Sequence, residues 1–182
     1  QRLTQELKAG GPQCDVFAST DIGHCLELKA KGQLEPFTPA NAATLLPALQ
    51  GVDPDGFFHA TAVGIVAIVY NTQKLKAEAA PRRWSDLTDP KWKNALTLGH
   101  PAYSGTVGVW VWQMAQLYGW DYFEKIKANN PQIGRSINDT LTMLRSGERT
   151  VAAGSANVSL EAKAKGDPIE IVYPEDGTVV FV

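Results

Sequence analysis

Four times along this chain a hydroxyl-rich turn opens a segment with apolar residues at helical spacing, and three of those turns follow a short apolar run. Asp15–Ser19 leads into Ser19-Thr20-Asp21, Ala95–Leu98 leads towards Ser104-Gly105-Thr106, and Thr150–Ala153 leads towards Ser155-Ala156-Asn157. The fourth turn, Ser136-Ile137-Asn138, has no apolar run before it. Four or five apolar residues bounded by Gly, Pro and Ser read as a strand, and an i, i+4, i+7 recurrence reads as a helix. The alternation predicts an α/β protein with parallel sheets and helices on both faces. In such sheets ligands sit outside the carboxyl ends of the strands, where strand gives way to helix. Any one of these turns is accounted for as a helix cap. Four together indicate a polar ligand.

The stretch from His100 to Thr106 carries the sharpest signal. Ser104 is a good N-cap, since its hydroxyl can accept a hydrogen bond from a first-turn N–H. Gly105 lets another molecule approach the backbone. From Ser104 to Gly119 there is no charged residue. Helix first turns favour Asp or Glu against the positive end of the dipole. A helix start without its own carboxylate is suited to an external anion. The alternative is a buried helix with Ser104 as an ordinary cap, and the stretch alone leaves both open.

The remaining elements follow from periodicity and punctuation. Residues 1–9 end a helix, stopped by Gly10-Gly11-Pro12. A second helix starts at Thr20-Asp21, with Ile22, Cys25, Leu26 and Lys29 on one side, and stops at Gly32. Residues 33–58 read as loops with one short helix near Asn41–Leu46. The longest apolar run, Ala60–Tyr70, is rich in Val and Ile and reads as a long strand. Pro81–Lys93 reads as short helical turns, and Trp120–Asn129 as an amphipathic helix. Ser136 and Asp139 stand at capping-box spacing, with Asp in place of Glu. Gly147 and Gly166 end the last two helices. Ile169–Tyr173 and Thr178–Val182 read as strands around Pro174-Glu175-Asp176-Gly177.

Composition excludes several classes. Hydrophobic residues make up 44% and charged residues 20%, as in a globular domain, and the net charge is −2 without a Lys/Arg cluster. No nucleic-acid footprint is therefore present in the sequence. No apolar run approaches the roughly 20 residues that cross a bilayer. Cys14 and Cys25 make no C-x-x-C or metal spacing and are either a disulfide or two free thiols. His24, His59 and His100 are scattered. Ser104 is not in a G-x-S-x-G elbow, and His24 and His100 have no evident nucleophile partner. The sequence thus predicts no catalysis, no metal and no cofactor.

Several stretches resemble bacterial extracellular solute-binding proteins. Gln13-Cys14-Asp15-Val16-Phe17-Ala18-Ser19-Thr20-Asp21 is similar to the family's first ligand loop, and Gly64–Thr72 to its first interdomain strand. Trp84-Ser85-Asp86-Leu87-Thr88-Asp89-Pro90-Lys91-Trp92-Lys93 resembles its linker signature. Ser104-Gly105-Thr106, Leu144–Glu148 and Tyr173–Thr178 follow in the family's order. The branch is that of ferric-ion, sugar-phosphate and phosphonate binders.

The resemblance implies a type II periplasmic-binding-protein fold, two α/β lobes joined by two crossing strands. Residues 1–60 would be part of the first lobe, 61–72 one hinge strand, 73–168 the second lobe, and 169–182 the return strand. The chain would be the middle of a longer, monomeric, periplasmic protein, its signal peptide removed or outside this chain. Its partners would be a small anionic solute and an ABC permease. Ligand residues would be Ser19, Thr20, Ser104, Gly105, Thr106, Ser136, Asn157 and, on the opposite wall of the cleft, Asp176. Ferric-binding members carry paired tyrosines where Ala156-Asn157 stand, which argues against bare Fe(III) and for an organic phosphate or phosphonate. The alternatives are a ferric-ion binder using a synergistic anion and the sensory domain of a regulator.

Overall fold

The computed structural model describes residues 2–181. Its spine is β1 (Gly64–Asn71), the core of the long Val/Ile run. Val66, Ala67 and Ile68 have no exposed surface and Val69 has 1%. Val66, Ile68 and Tyr70 enter one apolar core, Val69 the other. A strand covered on both faces needs apolar residues at successive positions, hence the unbroken run.

On one edge β1 pairs antiparallel with β4 (Val151–Ser155), from Val66 opposite Ser155 to Tyr70 opposite Val151. Beyond β4 lie β2 (Leu96–Gly99) and then β3 (Gln132–Gly134), both parallel. On the other edge the returning chain forms β5 (Ile169–Val172) beside Ile68–Asn71 and β6 (Val179–Phe181) beside Gly64–Val66, again antiparallel. The two runs predicted to lie side by side do so. Val182 falls outside the described residues.

The sheet is mixed, which corrects the expectation of parallel strands. β4 and β5 run the same way and their connecting helix straddles β1, which enters between them from the opposite direction. Asp15–Ser19 is not a strand. No described strand lies alongside to take its backbone hydrogen bonds, and Val16 is 85% exposed. β3 escaped the sequence reading because three residues with a polar first member carry no periodicity.

Helices α3 (Gly105–Tyr118) and α4 (Asp121–Ala128) cover one face. The turns Trp84–Thr88 and Pro90–Trp92 formed where short helical turns were expected. Trp84 is wholly buried and meets Trp110 edge-on at 5.7 Å between centroids. The other face is covered by α5 (Ile137–Arg145) and α6 (Ala156–Ala164), through Leu141, Leu144 and Ala162. Gly147 ends α5 at φ +71°, a left-handed conformation that glycine adopts without steric cost.

The first 60 residues hold α1 (Arg2–Lys8), α2 (Ile22–Ala30) and two 3-10 turns, Ala42–Thr44 and Pro47–Leu49, where one helix was expected. Lys29 ties α2 to the following loop through Asp53 (2.5 Å) and Asp55 (2.6 Å). Cys14 and Cys25 are both free thiols. Among the described residues no helix is long and apolar enough to cross a membrane.

Candidate functional site: three helix starts and a facing loop

The parallel strands β2, β3 and β4 end at one edge, and α3, α5 and α6 begin there. Gly99 closes β2. The Cβ it lacks would stand 2.5 Å from Val107 Cγ2, 3.1 Å from Ile137 N and 3.1 Å from the Ser136 carbonyl carbon. Only glycine leaves room for both turns to converge here.

The helix starts differ in what meets their positive ends. In α5 the Ser136 N–H donates to Asp139 Oδ2 (3.0 Å), a bond that holds the Asp139 carboxyl below its ordinary range. In α2 the Gly23 N–H donates to Asp21 Oδ1 (2.9 Å). The first N–H groups of any helix lack intrahelical partners. At α3 and α6 neither a first-turn carboxylate nor a capping side chain supplies one. Ser104 occupies the N-cap of α3 but makes no side-chain cap bond, contrary to its expected capping role. Thr106 beside it is 5% exposed.

Across from α3 lies the loop at residues 19–21. A Cβ on Gly105 would stand 2.7 Å from Thr20 Oγ1 and 3.3 Å from Asp21 Cβ. The structure thus gathers Thr20, Ser104, Gly105 and Thr106, with Ser19 next to Thr20 and Ser136 joined through Gly99. Asn157, second residue of α6, is exposed at the same edge of the sheet.

Ser19 corrects the reading of the histidines. Its Oγ accepts the Asp21 N–H (3.1 Å) and lies 2.8 Å from His24 Nδ1. His24 Nε2 is 3.9 Å from Asp21 Oδ2. The pairing becomes visible once α2 is known to start at Ile22, which puts His24 in its first turn. A second cluster also escaped notice. The Arg135 guanidinium lies 5.4 Å from the Tyr103 ring centroid, and the His100 ring 5.0 Å from it on a tilt. Tyr103 immediately precedes Ser104, but its link to Arg135 depends on β3, which carried no signal.

Asp176 is placed elsewhere. Its carboxylate accepts the Trp84 N–H on both oxygens (3.0 and 3.2 Å) and the Tyr118 hydroxyl. Trp84 Nε1 donates to the Gly177 carbonyl (2.8 Å) in the same clasp. Burial, reinforced by the Asp176 hydrogen bond and charge, pushes the Tyr118 phenol up to about 12. Tyr118 ends α3 and Gly105 begins it, so at 1.5 Å per residue the two lie ~20 Å apart. Asp176 is therefore not brought together with the turn at Ser104-Gly105-Thr106; it clasps the β5–β6 connection to the body of the fold. Among the described residues no three His, Cys, Asp or Glu side chains are grouped to hold a metal.

An α/β sheet crossed by two adjacent antiparallel connectors, with helix starts opening on a facing loop, defines a type II periplasmic binding fold. The profile of the family described as bacterial extracellular solute-binding protein matches residues 12–182, and the chain belongs to that family. An uncharacterised protein from Haemophilus influenzae is 25% identical over 95% of this chain and 53% of its own length. A Salmonella paratyphi A protein, provisionally named a 2-aminoethylphosphonate-binding periplasmic protein, is 25% identical over 96% of this chain and 50% of its own. The periplasmic binding protein AfuA of Actinobacillus pleuropneumoniae, solved with exogenous fructose-6-phosphate, superposes with a TM-score of 0.85 at 30% identity, over 98% of this chain and 59% of that one. Iron-bound HitA from Pseudomonas aeruginosa shares the fold, with a TM-score of 0.78 at 18% identity over 98% of this chain and 61% of that one. The chain spans about half the length of the curated relatives it matches.

Proposed function

We propose that this chain belongs to the substrate-binding component of an ABC importer, capturing an organic phosphate or phosphonate between two lobes. The observation that carries the reading is the start of α3, which has no carboxylate and no cap of its own and is faced by Thr20 at Gly105. The N–H groups of Gly105 and Thr106, with the Ser104 and Thr106 hydroxyls, hold the solute's anionic group. Ser19 and Thr20 reach it from the first lobe, residues 1–60. Ser136 and Asn157 complete the wall in the second lobe, residues 73–168. Residues 61–72 and 169–182 are the hinge, closure buries the solute, and a membrane permease recognises the closed form. The protein works in the periplasm and is not an enzyme. The names of the phosphonate-binding and sugar-phosphate-bound relatives support the solute class. The ferric alternative is disfavoured by Asn157, whose neutral amide cannot replace a phenolate as a hard anionic donor for Fe(III).

Ser104→Asp, compared with Ser104→Asn in the full-length protein, tests the reading. Both residues are good caps, and Asp gains only a further ~0.3–1 kcal/mol from the helix dipole, so both variants fold and the charge is the difference that binding reads. The Asp variant is expected to lose at least about tenfold in affinity for fructose 6-phosphate or 2-aminoethylphosphonate, ~1.4 kcal/mol, relative to Asn. Equal affinities in calorimetric titration would remove the anion site from α3.

A further inference from the structure

Ser19 stands in a hydrogen-bond arrangement that decides whether it can serve an anion at all. A serine hydroxyl has one proton to give and two lone pairs to receive. One lone pair takes the Asp21 N–H at 3.1 Å, and His24 Nδ1 lies 2.8 Å away. If Nδ1 is bare, the Ser19 proton is spent on it. What Ser19 then turns towards the cleft is its remaining lone pair, which repels an anion. If Nδ1 carries a proton, it donates into the second lone pair, and the hydroxyl proton is left free to point at the solute.

The surroundings of His24 select how Nδ1 acquires that proton. Nε2 faces Asp21 Oδ2 at 3.9 Å, so a neutral ring with its only proton on Nδ1 would set a lone pair against a carboxylate. The doubly protonated ring meets Ser19 with one N–H and Asp21 with the other. The other charged groups on this side are Glu27, paired with Lys31 at 2.5 Å, and Lys8 of α1, which lines the same groove. The Phe17 ring meets His24 edge-on at 6.5 Å. His24 is itself half exposed, 54% at the side chain, so proton exchange with solvent is open.

We infer that His24 is a positioning residue for the solute, and that protonating it turns the Ser19 hydroxyl from a donor to histidine into a donor to the bound anion. This rests on the anion-site reading above. Solute binding then takes up a proton, and by reciprocity a protonated His24 tightens solute binding. Histidines change charge between about pH 5 and 8. Affinity is therefore higher at the acid end of that window, where imidazoles are charged, than at its alkaline end.

The test is calorimetric titration of the full-length protein with fructose 6-phosphate and 2-aminoethylphosphonate between pH 6 and 8, in wild type, His24→Asn and Ser19→Ala. A probe's own titration cancels when proteins are compared at each pH. His24→Asn places an amide N–H where Nδ1 stands, a donor that never titrates. Wild-type affinity, relative to His24→Asn, is expected to rise about tenfold from pH 8 to pH 6. Heats in buffers of different ionisation enthalpy should show proton uptake in wild type that is absent from His24→Asn. Ser19→Ala keeps the imidazole charge and removes the hydroxyl, and should bind weakly with the same flat ratio to His24→Asn. If wild type and His24→Asn share one pH profile, or if Ser19→Ala keeps the wild-type profile, the positioning role is overturned while the solute-binding reading stands. If wild type binds neither probe nor inorganic phosphate, the anion site fails and this inference falls with it.

Discussion

Gly105→Ala isolates the approach of the 19–21 loop to α3. The new Cβ would stand 2.7 Å from Thr20 Oγ1, 3.3 Å from Asp21 Cβ and 3.5 Å from Asp21 N. Unstrained contacts begin near 3.5 Å, so the loop must retreat by about 1 Å at Thr20. Turning the Thr20 side chain relieves the first contact but not the second. The helix gains from the change, because Ala is the better helix former by up to about 1 kcal/mol. Thermal stability should therefore hold or rise while the Thr20 hydroxyl is carried out of reach of the solute. A hydrogen bond to a charged group contributes about 1.5–3 kcal/mol, so affinity should fall by at least about tenfold. Calorimetric titration alongside thermal melts reads both quantities. A double-mutant cycle with Thr20→Ala sharpens the test. If the clash acts through Oγ1, the double variant binds no worse than Thr20→Ala alone. Wild-type affinity in Gly105→Ala, or strictly additive losses in the cycle, would refute the argument that these two residues face one ligand.

Two further outcomes concern the clasp at the far end of α3. Asp176→Ala leaves the Trp84 N–H and the Tyr118 hydroxyl without their acceptor, so urea denaturation should show a loss of about 2 kcal/mol, with solute affinity unchanged in protein that remains folded; weaker binding at undiminished stability would return Asp176 to the site. The Tyr118 phenol is raised to about 12, first by burial and then by Asp176. Its folded value exceeds the ordinary one near 10, so its contribution to stability is complete below about pH 10 and is lost as pH rises towards 12. Near-ultraviolet phenolate absorbance should show Tyr118 ionising at lower pH in Asp176→Asn than in wild type, and an unmoved titration would sink the assignment.

Much of the fold was legible because burial on two faces writes itself into sequence. Val66–Val69 could be only a covered strand, and Gly32, Gly147 and Gly166 marked helix ends by their conformational need. The strand-to-helix turns at 104 and 155 were found for the same reason. What stayed hidden depends on neighbours distant in the chain. Asp15–Ser19 has the composition of a strand, but a strand exists only through its partner. Asp176 reads as a turn residue in a polar loop, and nothing nearby announces that Trp84 and Tyr118, 92 and 58 positions away, will take its carboxylate. Ser104 illustrates a third limit. It stands at the N-cap as its type predicts, yet the cap bond is not made, and residue type does not reveal whether a hydroxyl is spent or spare.

The two connecting strands share a single ladder. β5 and β6 lie end to end against β1, broken only opposite Ala67, between the Val66–Val179 and Ile68–Val172 pairs. Sliding this ribbon by one residue would exchange Ile68 and Val69 between the two cores, a loss that register makes prohibitive. A bend opposite the break spares every β5 and β6 pair, while Ala67 stays paired with Gly154 on the other edge of β1. Translation along such a ribbon is thus opposed by every pair in it, and the only place where the return strands leave β1 unpaired is Ala67.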